Sequence, residues 1–573
     1  MTEELTITSQ RVDDIPLLIA QMERMGLPQH LDVQFPVHGN WQGVSLGWTA
    51  TCWLAYILSE GDHRLSHLQS WAEGRLETLQ ICTAQEIRLL DFSDDRLALL
   101  LRRLSDDESW ASFEQELNSH LVRIYELGTE RVRIDTTTKS GYWTVTEGGL
   151  FTFGHSKDHR PDLPQVKVVL STLDPLGMPL ATEVVAGHRA DDPLYRPAIE
   201  RVRQSLNKRG LLYIGDSKMG ARETRAEVES GGDYYLCPLS LTQLSEEGIQ
   251  AYLEPVWNGQ QPLTDIYRAL EPEKSQSIAV GFERQAEMRV NMAGRVVTWT
   301  ERRLVIRSLS QVEAAQKRLM ERIDRARQAI EQLNERKRGK KRYTGADELR
   351  QAGLKLLQKY KVEGLLNIEI EETCHQRQIR HYGKRPAREE KVRSYRISAT
   401  VDEARVAETL QQTGWRVYAT NAPAEKLSLI QAVLAYREQY IIERGYGRLK
   451  GKPLSLSPMY LERDDHATGL IRLLSIGLRV LTLLEFLVRR RLAQEQSQLT
   501  GLYAGNPKRA TARPTAERLL AAFKGLTLTL IVEPNRHLRH LTPLSDLQHR
   551  ILNLLDFSPE VYTRLTTNFV KPP

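Results

Sequence analysis

The sequence predicts an α/β fold, preceded by a helical region and interrupted by a β-rich segment. Three observations carry this reading. The hydrophobic period changes from helical to alternating near residue 130, short strands and one helix follow in the order β-β-β-α-β, and strand-then-helix patterning returns after residue 415. The 573 residues leave room for about three or four domains, and 41% hydrophobic with 27% charged residues is the composition of a globular protein, not a disordered one. The net charge of +6 is too small to name a partner. Cys52, Cys82, Cys237 and Cys374 lie far apart with no C-x-x-C pair, which argues against a zinc ribbon or a disulfide scaffold and fits a reducing cytoplasm.

Residues 1 to about 125 read as a compact helical domain, with apolar-periodic runs at Ile15–Met25, Leu46–Leu58 and Asp94–Leu104, the last opened by the N-cap candidate Ser93. Trp41, Trp48, Trp53, Trp71 and Trp110 read mostly as core anchors. No basic recognition helix stands out. Arg131–Thr137, Gln165–Thr172 and Met178–Ala186 alternate as three strands, with Asp174-Pro-Leu-Gly177 as a turn between the last two. Asp191–Lys208 then reads as a helix and Leu211–Gly215 as a buried strand ending at Asp216.

From about 225 to 414 a β-rich stretch breaks this regularity. Ser277–Asn291 and Arg295–Arg307 form a predicted hairpin, and Ser310–Gln332 and Asp347–Lys361 read as charged helices separated by a basic tip, Arg336–Arg342. The tip is either a solvated loop or a phosphate contact. Trp415–Asn421 is predicted as a strand, Ala424 to about Lys450 as one helix, and His466–Leu492 as a long apolar helix. Charges at Arg472, Arg479 and Glu485 mark that last helix as buried core, not a membrane span. Short helices are expected in the tail. The N-terminus lacks a basic start followed by an apolar run, so no signal peptide is expected.

Asp135 ends the first strand in RVRIDTTT, and Asp216 ends the fourth in LLYIGDSKMG. If these strands are neighbours, the carboxylates converge at one sheet edge, where hard oxygen donors suit Mg²⁺ or Mn²⁺. On a continuous helix, Tyr436, Gln439, Glu443 and Lys450 fall at i, i+3, i+7 and i+14, within a stripe of about 60°. An ordinary turn aspartate or a solvated helix face would give the same residues singly.

Together these features resemble the bacterial insertion-sequence DDE transposases, whose signature Y-x2-R-x3-E-x6-K surrounds the catalytic glutamate. GHSKDHRPDLPQ at Gly154–Gln165 and GDSKMG at Gly215–Gly220 also look like a subgroup with a large insertion. The resemblance implies an RNase H-like catalytic domain divided between 126–224 and 415–500 by a β-rich insertion at 225–414. It also implies a helical DNA-end-binding domain at 1–125 and a C-terminal helical region at 501–573. Asp135, Asp216 and Glu443 would hold two Mg²⁺ ions, with Mn²⁺ as a substitute, for displacement at a phosphodiester. Lys450 would neutralise a phosphate near the scissile bond, Tyr436 would orient the same backbone, and Trp415 would stack on a distorted base or serve as core. The signature arginine is replaced by Gln439, which lacks a charged fork; Arg437, Arg444 or Arg448 are the candidates to compensate.

The implied activity is Mg²⁺-dependent cleavage at inverted-repeat ends and transfer of 3′-hydroxyls into target DNA. The partners would be double-stranded DNA and a second copy of the chain, in the cytoplasm and on the nucleoid when bound. Excision through a hairpin also follows from the resemblance, with Gln439 a departure from it. The alternatives are an RNase H-like nuclease without strand transfer and a non-catalytic DNA-binding relative.

Overall fold

In the computed structural model, residues 6–566 are described apart from 272–273, 293, 336–340, 380–382, 384–387 and 534–535. A first strand, β1 (Thr6–Arg11), leads into seven helices: α1 (Ile15–Arg24), α2 (Leu27–Gln34), α3 (Leu46–Glu60), α4 (Leu65–Glu73), α5 (Leu76–Thr83), α6 (Asp94–Leu104) and α7 (Asp107–Tyr125). The start of α3 is fixed by Ser45, whose hydroxyl accepts from Trp48 N, and that of α7 by Asp106, whose carboxylate accepts from Ser109 N. Trp53 and Trp110 are wholly buried, and Trp48 and Trp71 nearly so, as core anchors. Trp41 instead carries the Arg96 guanidinium 4.0 Å from its ring centre.

The chain then builds β2 (Arg131–Ser140), β3 (Gln165–Leu173), β4 (Met178–Ala186), α8 (Tyr195–Leu206), β5 (Leu212–Ile214), α9 (Arg222–Ser230), β6 (Tyr234–Pro238) and α10 (Glu246–Trp257). After these come β7 (Thr264–Glu271), β8 (Lys274–Met292), β9 (Arg295–Ser308), α11 (Leu309–Glu331), α12 (Ala346–Tyr360), β10 (Leu366–Ile379), β11 (Arg388–Val401) and α13 (Glu403–Gln411). The last part holds β12 (Trp415–Thr420), α14 (Leu429–Arg437), α15 (Tyr440–Lys450), α16 (Asp464–Gln494), α17 (Ala516–Ala521), β13 (Thr527–Glu533), β14 (Arg536–Leu541), α18 (Asp546–Leu554) and α19 (Glu560–Thr563).

Nine strands form one mixed sheet in the order β4-β3-β2-β5-β6-β12-β9-β8-β7. The β2–β5 and β5–β6 pairs are parallel and the others antiparallel. The strands β2 to β4 follow the predicted meander, and Gly177, at φ +78°, closes the turn between β3 and β4. The stretch expected as an insertion divides in two. Its strands β7–β9 continue the central sheet, joined to it where β9 pairs with β12. By contrast α11, α12, β10, β11 and α13 gather around a core of their own that includes Leu319, Ile323, Leu357 and Ile397. Of the basic tip, Arg336–Lys340 lie outside the described residues, and Lys341 pairs with Glu348 at 2.7 Å.

The N-terminal helices share a continuous core with the β2–β4 side of the sheet, α16 and the C-terminal part. Most of α16 is buried, and its charges are matched: Arg479 meets Glu114 of α7 at 2.7 Å, and Arg472 pairs with Asp107. No helix among the described residues is long and apolar enough to cross a membrane. The tail differs from its helical expectation, because β13 pairs with both β14 and β1 in a separate three-stranded sheet. TLTLIVE at 527–533 alternates locally and β14 follows it directly, but its other partner, β1, stands at the opposite end of the sequence.

Candidate active site

The aspartates are placed by strand register. Arg133 of β2 lies level with Ile214 of the parallel β5, so two residues further along Asp216, just past the end of β5, comes level with Asp135. Asp135 lies within β2 opposite Leu170 of β3 instead of ending its strand as expected, because pairing with β3 carries β2 on to Ser140. Asp135 Oδ1 accepts from Thr136 N at 2.8 Å, and Asp216 Oδ1 accepts from Tyr195 Oη at 2.7 Å and Lys218 N at 2.8 Å. Neither Oδ2 has a hydrogen-bond partner among the described residues. A third carboxylate, Asp191, joins them from the turn before α8, bonded by Lys167 Nζ at 2.5 Å and lying 3.4 Å from Lys157 Nζ. Its pKa is lowered: burial opposes this, but Lys167 and Lys157 outweigh it.

The Asp135 carboxyl is pushed up to about 6, first by burial and further by Asp216 and Asp191, against the opposing pull of Lys157 and the Thr136 amide. An unfolded aspartate gives up its proton near pH 3.9. Between that pH and about 6 the folded chain therefore binds more protons at this site than the unfolded chain, and stability falls as pH rises through the window. The loss is at most about 3 kcal/mol. Melting of metal-free protein between pH 4 and 6.5 should show Asp135→Asn gaining on the parent as pH rises; a constant gap would mean that Asp135 keeps an ordinary carboxylate pKa.

The predicted single helix from Ala424 to Lys450 is two helices, meeting at Glu438 and Gln439. Arg133, fully buried on β2, explains the break. Its Nη2 donates to Ala435 O at 2.6 Å, its Nη1 to Gln439 Oε1 at 3.2 Å, and its Nε to Asp174 Oδ1 at 3.0 Å. With the Ala435 carbonyl drawn to the guanidinium, Gln439 N bonds Tyr436 O instead, and the helical ladder is interrupted. The four-residue stripe is therefore corrected: Tyr436 lies in the last turn of α14, Gln439 precedes α15, and Glu443 and Lys450 remain together on α15.

Glu443 is exposed, and its carboxylate makes no hydrogen bond or ion pair with any described residue. One turn on, the Tyr446 hydroxyl donates to Asp135 O at 2.5 Å and accepts from Leu170 N at 3.2 Å, fastening α15 across β2 and β3 beside the first aspartate. Lys450 donates to Asp158 Oδ1 at 2.7 Å, and Asp158 Oδ2 accepts from Ser140 N of β2 at 3.1 Å. Sequence reasoning missed Arg133, Lys157, Asp191 and Tyr446. The only local signals were the loop motif containing Lys157 and the tyrosine three residues after Glu443.

Other expected DNA contacts are occupied elsewhere. Arg444 pairs with Glu485 of α16 at 2.5 Å, while Arg448, buried, bonds Glu485 at 2.5 Å and Glu517 of α17 at 2.6 Å. These two therefore fasten α15 to the helices behind it. Arg437 donates to Ile278 O and Ser308 Oγ. Tyr436 packs on Tyr418, with ring centres 4.6 Å apart, and burial raises its phenol pKa. Trp415 packs edge-on to Phe282 and donates from Nε1 to Gln411 O at 2.9 Å; its strand lies three across from β2.

The donors fit a hard divalent cation in kind, because Asp135 and Asp216 each offer a carboxylate oxygen without a hydrogen-bond partner among the described residues. In number they are incomplete: among the described residues, no three His, Cys, Asp or Glu side chains are grouped to hold a metal. A family profile described as Transposase DDE domain matches residues 132–478, a span containing Asp135, Asp216, Glu443 and Lys450. Among solved structures, the piggyBac transposase synaptic complex with hairpin DNA is similar at 10% identity and a TM-score of 0.23. The match covers 52% of this chain and 62% of that one. No curated protein matches the chain.

Proposed function

Because this chain belongs to the Transposase DDE domain family, we propose that it is an insertion-sequence transposase that cuts DNA at inverted-repeat ends and joins the freed 3′-hydroxyls to target DNA. The supporting observation is the level placement of Asp135 and Asp216 on adjacent parallel strands, each with a free oxygen, within the family-matched span. Asp135, Asp216 and Glu443 would hold Mg²⁺, or Mn²⁺ in its place, and the bound ions would supply nucleophile activation and stabilisation of the leaving oxygen.

The chain's own residues have separate tasks. Tyr195 and the Lys218 amide orient Asp216, and Tyr446 fixes the β2 backbone at Asp135. Glu443, exposed on α15 one turn before Tyr446, would supply the third carboxylate. Lys450 exchanges Asp158 for a backbone phosphate, an exchange its 2.7 Å ion pair permits because both partners are part-exposed. Gln439 faces Arg133, so the phosphate contact of the family's arginine is absent from this helix. The helical region at 1–125 would bind the transposon end, the divided sheet at 126–224 and 415–500 would form an RNase H-like catalytic unit, and two copies would pair the ends.

The test is a labelled duplex carrying the inverted repeat that flanks the gene, incubated with supercoiled plasmid, the protein and Mg²⁺. Covalent joint products support the transposase reading; cleavage without joining would make the protein a nuclease, and end binding without cleavage a non-catalytic relative. Chelation should separate binding from chemistry. In EDTA the gel shift is expected to persist, since lysine and arginine contacts to phosphate supply it, while cleavage disappears. Loss of the shift would give the cation a structural role instead.

A further inference from the structure

Loop 154–165, GHSKDHRPDLPQ, sends two consecutive charges to opposite sides of the candidate site. Asp158 turns to Lys450 on α15. Lys157 turns to the aspartates: its Nζ lies 2.6 Å from both Thr136 O and Thr136 Oγ1, 3.4 Å from Asp191 Oδ2 and 3.8 Å from Asp135 Oδ1. Strand β2 holds the loop in place through alternate residues. Thr138 Oγ1 accepts from Lys157 N at 2.9 Å, Ser140 Oγ lies 3.2 Å from Ser156 Oγ, and Ser140 N donates to Asp158.

Lys157 differs from the other lysines near the aspartates. Lys167, nearly buried, is committed to Asp191 and Arg189 O, and Lys218 pairs with Asp192 at 3.5 Å. Among the described residues, Lys157 is the only cation paired with Asp135. Its ammonium is part-exposed, and three of its contacts, the two oxygens of Thr136 and the Asp191 carboxylate, do not involve Asp135. It can therefore leave Asp135 without losing every partner.

We infer that Lys157 is the resident counter-cation of the aspartate cluster, occupying it in the metal-free chain and competing there with an incoming divalent cation. The inference rests on the reading of Asp135 and Asp216 as cation ligands. A dication and an ammonium about 5 Å apart repel each other by enough to change affinity about tenfold even at the dielectric constant of water. The loop thereby sets how much free cation the site needs before it fills, and Asp191 serves as the lysine's second seat.

The experiment is a Mn²⁺ titration of the full chain without DNA, followed by the electron paramagnetic resonance signal of the free ion, with melting in EDTA measured alongside. In the parent, Mn²⁺ binding should be lost on Asp135→Asn. Lys157→Met and Lys157→Gln should each lower the half-saturating Mn²⁺ concentration about tenfold and melt earlier in EDTA, with Mn²⁺ restoring the difference, whereas Lys157→Arg should stay near the parent. Unchanged or weaker Mn²⁺ binding in folded Lys157→Met, with binding still dependent on Asp135 in the parent, overturns the counter-cation role alone. Mn²⁺ binding that survives Asp135→Asn, or no binding by the parent, overturns the underlying ligand assignment. If the Met and Gln variants fail to fold and Mn²⁺ does not rescue them, Lys157 is a structural tie and the inference falls.

Discussion

Glu443→Gln is expected to lower cleavage of a transposon end by roughly two to three orders of magnitude while leaving melting and end binding at the parent's level. The two halves of this expectation come from different observations. The Glu443 carboxylate is exposed and has no described partner, so the fold loses nothing when its charge is removed, and surface changes of that kind stay within about 0.5 kcal/mol. The same charge is the third carboxylate of the proposed cation site, one helical turn before the tyrosine that grips the Asp135 backbone. Denaturing-gel detection of cleaved ends measures the first half and thermal melting the second. Cleavage near the parent's rate would remove Glu443 as a ligand, and α15 as the catalytic helix with it. Reduced melting would show that the carboxylate is engaged in the fold after all.

The second large effect is expected at a residue the sequence reading passed over. Arg133→Met should destabilise the protein by about 3 kcal/mol or more, because it leaves the buried Asp174 with only Arg131, 3.5 Å away, as an ion-pair partner among the described residues, and strips a donor from Ala435 O and from Gln439. Cleavage should fall beyond what the lost stability explains, since the guanidinium sets the junction from which α15 carries Glu443 and Lys450. Gln439→Arg provides the converse test. It restores the family's signature but brings a second guanidinium against the buried Arg133 at a part-buried position, so it should destabilise and reduce cleavage instead of strengthening the phosphate contact. Melting and cleavage at or above parent values for Gln439→Arg would show that the side chain turns away from Arg133 when DNA binds.

The sequence alone determined the elements whose cause is local. The alternation in β2, β3 and β4, the Asp174–Gly177 turn, the β8–β9 hairpin and the apolar run of α16 all announce themselves within a few residues, because backbone period and turn chemistry are short-range. Aspartates following matching apolar β-type runs made the pair of Asp135 and Asp216 legible before their register was known, although β2 in fact continues past Asp135 to Ser140. Tertiary structure alone decided what those elements face. Only the β12–β9 pairing shows that half of the expected insertion extends the central sheet, and only the β1–β13 pairing ties the two ends of the sequence together. Arg133, far from α14 in sequence, breaks a helix whose local pattern runs straight through Gln439, and Glu485 and Glu517 claim two arginines that the family resemblance offered as DNA contacts. Lys157 and Asp191 join Asp135 across a sheet edge. Such contacts leave no periodic trace in the chain, because a buried charge is matched by whichever partner the packed fold brings to it, at any separation in sequence.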